Sequence, residues 1–162
     1  MYRRRFELTA IGVVRVDFDD DYIRAQPGEV EGVVEVFPEY ARGLEGIEDY
    51  SHIFLFSFLD RVSEEDRHLL TIKPKRLLRL GFRPEQLPTI GVFASDSPVR
   101  PNPIGLTLVK LIAREENLLR VYGLDLFNGT PILDIKPFRS DYMTKNFKTP
   151  EWVAKHDTKP PV

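Results

Sequence analysis

The sequence predicts a mainly β domain, an antiparallel barrel or sandwich with short helices, on three observations. Seven β-branched or aromatic runs follow one another at short spacing, turn-forming residues separate them, and helical periodicity is scarce. The 162 residues are enough for one domain with a real core, and 42% hydrophobic with 30% charged residues is ordinary for a globular chain.

In chain order, residues 8–16 (LTAIGVVRV), 29–37 (EVEGVVEVF) and 51–59 (SHIFLFSFL) are the first strands. Ser63, with Asp66 three residues on, starts a short capped helix in SEEDRHLL. Residues 89–95 (TIGVFAS), 105–113 (GLTLVKLIA), 117–127 (NLLRVYGLDLF) and 130–138 (TPILDIKPF) supply the remaining strands, with Glu115-Glu116-Asn117 as a turn. Asn128-Gly129, between two alternating runs, is the strongest hairpin signal in the chain. A two-residue turn there sets Phe127 opposite Thr130, Asp125 opposite Ile132, Gly123 opposite Asp134 and Val121 opposite Lys136. Pro131 then faces Leu126, where its missing N–H costs the ladder nothing. Alternation gathers Asp125, Asp134 and Lys136 on one face, either a pocket floor or the solvent side of a hairpin. Residues 140–162, rich in lysine and proline, read as a partly ordered C-terminal extension anchored by Trp152, which leaves 1–139 as the domain.

Composition narrows the chemistry. The absence of cysteine excludes disulfides, thiolate catalysis and cysteine-ligated metals. His52, His68 and His156 lack metal-ligand spacing, so no metal site is expected. Neither a dinucleotide fingerprint, a P-loop nor a nucleophile elbow is present. With no apolar run of membrane-spanning length and no signal peptide, the expected address is the cytoplasm, away from membranes. Net charge is −2, yet residues 17–49 carry eleven acids against Arg24 and Arg42, while 67–83 carry six cations and no acid. That basic segment is either a solvated loop or a footprint for phosphate.

Alternation also places His52, Phe54, Phe56, Phe58 and Asp60 on one face. His52 and Asp60 are then ~26 Å apart along the strand, too far for a dyad. Asp60-Arg61, where the strand runs out, is the better binding candidate. The stretch SPVRPNPIG, residues 97–105, holds three prolines and so forms neither a helix interior nor a central strand. It is a stiff loop presenting Arg100 and Asn102.

GVFASDSPVRPNPIGLTLVKL followed by GLDLFNGTPILDIKPF, with AIGVV, QPG and RGLEGIEDYSHIFLF before them, resembles the TrmO (YaeB/TsaA-like) family over about residues 9–138. The resemblance implies a single-domain antiparallel β-barrel and S-adenosyl-L-methionine as cofactor. It further implies N6-methylation of threonylcarbamoyl-adenosine beside the anticodon of threonine tRNA, by a homodimer. Carried over by position, cofactor contacts fall on Gln26, Asp60, Arg61, Asp96, Leu106, Leu124, Asp125, Leu126 and Phe127. Arg100, Asn102, Asp134 and Lys136 lie in the signature motifs and are the catalytic candidates. The chain departs from the family pattern at Asp96, where an arginine is common, and at Asp60, where bacterial members often carry histidine.

Methyl transfer from a sulfonium is an in-line displacement, so positioning carries most of the work. An exocyclic adenine amine needs an acceptor as its nitrogen rehybridises; Asp134 is the first candidate, with Lys136 orienting it or touching the substituent. Asp96 or Asp125 suits the sulfonium or a ribose, Arg100 suits a phosphate or carboxylate, and 67–83 becomes the phosphate track. Two readings stand beside this one: the same pocket acting on another adenosine-containing substrate, and a barrel that binds S-adenosylmethionine or RNA without turnover.

Overall fold

The structure is a computed structural model and describes residues 4–154; His156 and the Lys159-Pro160-Pro161 end of the extension lie outside the described residues. Its strands are β1 (Gly12–Arg15), β2 (Val30–Val36), β3 (His52–Phe58), β4 (Thr71–Ile72), β5 (Ile90–Gly91), β6 (Ile104–Glu115), β7 (Leu118–Leu124) and β8 (Pro131–Pro137). Two short helices are α1 (Asp20–Ala25) and α2 (Glu151–Ala154). By contact the chain divides into two compact units, one drawn from Met1–Phe58 and Gly105–Phe138, the other from Leu59–Ile104 and Arg139–Val162.

The first unit is the expected antiparallel barrel, closed in the order β1-β2-β7-β6-β3-β8, with β8 returning to β1. Alternation explains its core. Val14 pairs with Val34, Val34 with Leu119, and Val121 with Gly32 and Leu111, so the inward positions of four strands meet. Val14, Val34, Ile53, Leu55, Leu119, Val121 and Ile132 are fully buried, and each contributes roughly 1.5–3 kcal/mol by leaving water. On β3 the odd positions Ile53, Leu55 and Ser57 point inward, and His52, Phe54, Phe56 and Phe58 lie half-buried on the outer face. The Glu116-Asn117 turn joins β6 to β7 as expected, with Glu115 opposite Leu118.

The Asn128-Gly129 hairpin does not form. The turn is there: Thr130 N–H donates to Phe127 O at 3.1 Å, and Gly129 sits at φ +85°. Yet the two-residue turns that suit paired strands need φ > 0 at the first central residue, and Asn128 does not share the positive φ of Gly129. Both edges of β7 are already taken, by β2 and β6, so β8 crosses to pair with β1 and β3. Asp134 therefore lies opposite Phe56, Lys136 opposite Phe54, and Pro131 opposite Val13. Gly123 faces none of them. At φ +107° it is the extra residue of a bulge, between Tyr122, opposite Glu31, and Leu124, opposite Val30. A side chain at that φ would be strained, so the glycine serves the bulge rather than a space over Asp134.

Helix α1 replaces what reads as part of an acidic run. Asp19 caps it by accepting from Tyr22 N–H at 2.8 Å, and Ile23 is its one buried anchor. The acids of its first turn also complement the helix dipole.

The second unit has little regular structure. Among its described residues β4 pairs with β5 in a two-stranded sheet, and the run 89–95 keeps strand geometry over Ile90–Gly91 before turning into a 3-10 helix at Val92–Ala94. Val92, fully buried, pulls the chain inward there, and its N–H donates to Leu70 O at 3.0 Å. The Ser63 cap forms as read, Asp66 N–H donating to Ser63 Oγ at 3.1 Å, ahead of a single 3-10 turn at Asp66–His68.

Candidate functional site

The barrel gathers several of the candidates at one end. There α1 finishes at Gln26, whose carbonyl accepts from Glu29 N–H at 3.1 Å, and Gly28 N–H donates to Leu124 O at the same distance. The cap of α1 is thus tied to the end of β7, where Leu124, Asp125, Leu126 and Phe127 leave the ladder. Leu124 and Leu126 are buried. The Arg24 guanidinium lies 4.8 Å from the centroid of the Phe127 ring, a cation–π distance. Asp125 is exposed but fixed, since Thr107 Oγ1 donates to its Oδ1 at 2.7 Å. Leu106, the neighbour of Thr107 on β6, is 61% exposed, an apolar side chain held open at this end. Asn128 Oδ1 accepts from Val16 N–H at 3.2 Å, which straps the loop 125–130 to β1.

The same end carries the barrel's buried polar side chains, Ser57, Thr107 and Thr130, none of which the sequence reading selects. A signal was available for Ser57, a hydroxyl at an inward position of FLFSFL. For Thr107 there was none, because its role depends on Asp125 across a strand pair. Ser57 Oγ is buried without a hydrogen-bond partner among the described residues.

Asp134 and Lys136 share the outer wall of the barrel, as expected, but without Asp125. Lys136 Nζ stands 3.8 Å from Asp134 Oδ2 and 6.0 Å from the Phe56 ring centroid. Asp134 Oδ1 accepts from Ile135 N–H at 2.9 Å, which fixes the rotamer of the carboxylate. Both side chains are about half exposed, and the Lys136 ammonium lies over the Phe56 ring. Phe54 packs edge-on to Phe138 at 5.5 Å, and His52 follows at 6.4 Å. The Nδ1 of His52 is within 2.9 Å of Ser51 Oγ, in keeping with a strand-end residue rather than a catalytic one.

In the second unit Arg100 is spent on its own loop. Its Nη2 donates to Val92 O and Ser95 O, both at 3.1 Å. Two serines complete the stitching: Ser95 Oγ donates to Val92 O at 3.1 Å, Ser97 N–H to Ser95 Oγ at 3.3 Å, and Val99 N–H to Ser97 Oγ at 3.2 Å. Prolines alone do not stiffen this stretch; a guanidinium and two hydroxyls lock it. Asn102 is exposed, and its carbonyl accepts from Ile104 N–H at 2.7 Å, while Pro103 O accepts from Leu59 N–H at 2.7 Å. Asp60 and Arg61 sit in the exposed turn that follows. Asp96 lines a cavity of about 720 Å³ together with part of the basic segment.

The acidity of Glu48 is shifted. The backbone N–H of Glu48 and the Arg114 side chain, whose Nη1 donates to Glu48 Oε2 at 3.1 Å, hold its pKa below the ordinary carboxylate value. Among the described residues no three His, Asp or Glu side chains gather as metal ligands, and no helix is long and apolar enough to cross a membrane.

Residues 22–143 match the model of the tRNA-methyltransferase O N-terminal domain. A probable S-adenosyl-L-methionine-binding protein of Pyrococcus abyssi is 39% identical over 79% of this chain and 63% of its own length. A tRNA (adenine(37)-N6)-methyltransferase of Escherichia coli is 34% identical over 82% of this chain and 57% of its own. A solved structure described as the crystal structure of TrmO superposes with a TM-score of 0.67 at 29% identity, covering 90% of this chain and 64% of that one. The chain therefore spans under two thirds of the length of each of these proteins.

Proposed function

The chain belongs to the tRNA-methyltransferase O N-terminal domain family, and from that membership we propose that it is an S-adenosyl-L-methionine-dependent tRNA (adenine-N6)-methyltransferase. The observation that carries this reading is that the matched span, 22–143, contains every residue assigned to the site. The relatives' names support both halves of it: S-adenosyl-L-methionine binding in the archaeal protein and adenine N6-methylation of tRNA in the bacterial one.

The residues at the barrel end fit the cofactor. A carboxylate pinned by a hydroxyl, Asp125 on Thr107, suits a ribose or a sulfonium, and Phe127 with the exposed Leu106 offers apolar surface for an adenine. Gln26, Leu124 and Leu126 frame that surface, and Asp60, Arg61 and Asp96 are the further contacts implied by the family pattern. The cofactor supplies a methyl group on a sulfonium. The chain's part is to bind, orient and accept hydrogen-bonding charge. Asp134, its rotamer set by Ile135 N–H, accepts from the exocyclic amine through its other oxygen, Oδ2. Lys136 beside it steadies that carboxylate or meets an anionic substituent, and Phe56 beneath offers a face for the base. Arg100 acts as a positioning residue that fixes the loop before Asn102 by holding the carbonyls of Val92 and Ser95.

The finer reading is that the substrate adenosine carries the threonylcarbamoyl group and lies beside the anticodon of threonine tRNA. The enzyme then works as a homodimer in the cytoplasm, with residues 1–139 as the catalytic domain and 140–162 as an extension. The basic segment 67–83 tracks the phosphates. Tritiated methyl transfer to tRNA with and without that modification, followed by nucleoside mass spectrometry, tests this; label on another nucleoside would overturn the substrate. For Asp134→Asn, turnover should fall about 10²–10⁴-fold with S-adenosylmethionine affinity kept. Unchanged turnover removes Asp134 from the mechanism.

A further inference from the structure

The cavity of about 720 Å³ lies wholly within the second unit, its lining drawn from segment 66–77, loop 94–99, and Trp152 and Val153. We propose that it holds one nucleotide of a single-stranded RNA loop, the base against Trp152 and the phosphate on Lys73 and Lys75. This rests on the tRNA substrate of the proposed function and adds a second recognition point to it.

Size is the first argument. Sites for small ligands run to roughly 300–1,000 Å³, enough for a nucleotide. Charge is the second. Lys73 and Lys75 are exposed, flank Pro74 at the lining, and among the described residues neither has an ion-pair partner, unlike Arg67, which meets Glu64 at 3.2 Å. Two unpaired ammonium groups on one cavity are a ready site for a phosphate. Asp66 and Asp96 on the same lining disfavour a polyphosphate, whose charges would meet them.

The third argument is shape. Trp152, the single tryptophan of the chain, is half-buried on the cavity, and an indole face stacks any base. The wall of Ser95, Asp96 and Ser97 is already locked by the hydroxyl bonds of its two serines and needs no ordering when a ligand enters. A rigid wall, an aromatic face and free cations together describe a nucleotide pocket.

The intact protein is titrated with a seven-nucleotide single-stranded RNA rich in adenosine, following Trp152 fluorescence and oligonucleotide anisotropy. Saturable quenching is expected. The double variant Lys73→Gln, Lys75→Gln should weaken binding about tenfold at low salt and flatten the salt dependence by about one unit of slope. Trp152→Ala should weaken it about tenfold without changing that slope, and Trp152→Phe should restore most of the loss. Unchanged RNA affinity in both the lysine and Ala variants overturns the pocket, as does quenching by S-adenosylmethionine alone, which would assign the cavity to the cofactor. Methyl transfer to tRNA is measured in parallel. Quenching by RNA without tRNA methylation removes the enzyme reading and keeps the pocket; methylation with an unchanged KM for tRNA in the lysine variant does the reverse.

Discussion

The barrel and the second unit hold themselves together by different means. In the barrel, backbone ladders on both edges of each strand do the joining, and fully buried Val, Ile and Leu supply the free energy. Among its described residues the second unit has one two-stranded sheet, three of the buried hydrophobics (Leu77, Leu87 and Val92), and loops fastened by side chains reaching to backbone. A barrel built this way positions groups through the whole fold. The loop unit positions them through a few individual bonds, so it can be retuned one residue at a time.

The contrast breaks first in the core. Leu55→Ala should destabilise the whole barrel by about 2–5 kcal/mol, read as a lowered urea midpoint by far-UV circular dichroism. A loss confined to local amides would mean that the barrel is not one cooperative body. Arg100→Ala should cost about 1.5–3 kcal/mol, because a charged donor shared by two carbonyls is lost. Its signature is local: hydrogen exchange should quicken within 92–100 while the barrel strands keep their protection. Ser97→Ala removes one neutral acceptor and should cost about 1 kcal/mol, seen in the same exchange window. Global unfolding by either loop variant would erase the distinction.

The smallest effect is electrostatic and belongs to the barrel. Glu48 is held below its ordinary pKa, first by its own backbone N–H and then by Arg114. A depressed folded-state pKa stabilises above the unfolded value, and the contribution is lost as pH falls through the folded one. The melting temperatures of wild type and Glu48→Gln should therefore differ at neutral pH and converge in acid. Because the pair is exposed, salt should shrink the difference.

What could be read from sequence follows the same division. Alternation exposes inward and outward positions, so β1, β2, β3, β6, β7 and β8 are legible in the chain, and so is the joint placement of Asp134 and Lys136. Neighbour relations are not. Asn128-Gly129 carries a true turn signal, but a turn says nothing about whether the edge beside it is free, and β7 has no free edge. The acidic run hid α1 because Asp19 reads as one more charge until its bond to Tyr22 N–H is seen. In the second unit, Pro98, Pro101 and Pro103 announce rigidity, yet the role of Arg100 depends on carbonyls eight and five residues back. Trp152 reads only as an anchor of the extension, since its place on a cavity with Lys73 depends on residues distant in sequence.

The pairing of β1 with β8, which sets Gly12 beside Ile132, has a consequence for the life of the chain before it is folded. Ribosomes deliver residues in order, so β1, β2 and β3 emerge long before the strand that closes the ring. Local ladders such as β6 with β7 form as soon as their turn appears, whereas closure waits for β8 and pays the entropy of a long loop. During that wait the edge of β3 that β8 will cover is open, an invitation to association between nascent chains. Refolding from denaturant should accordingly be slow and yield more native protein when dilute.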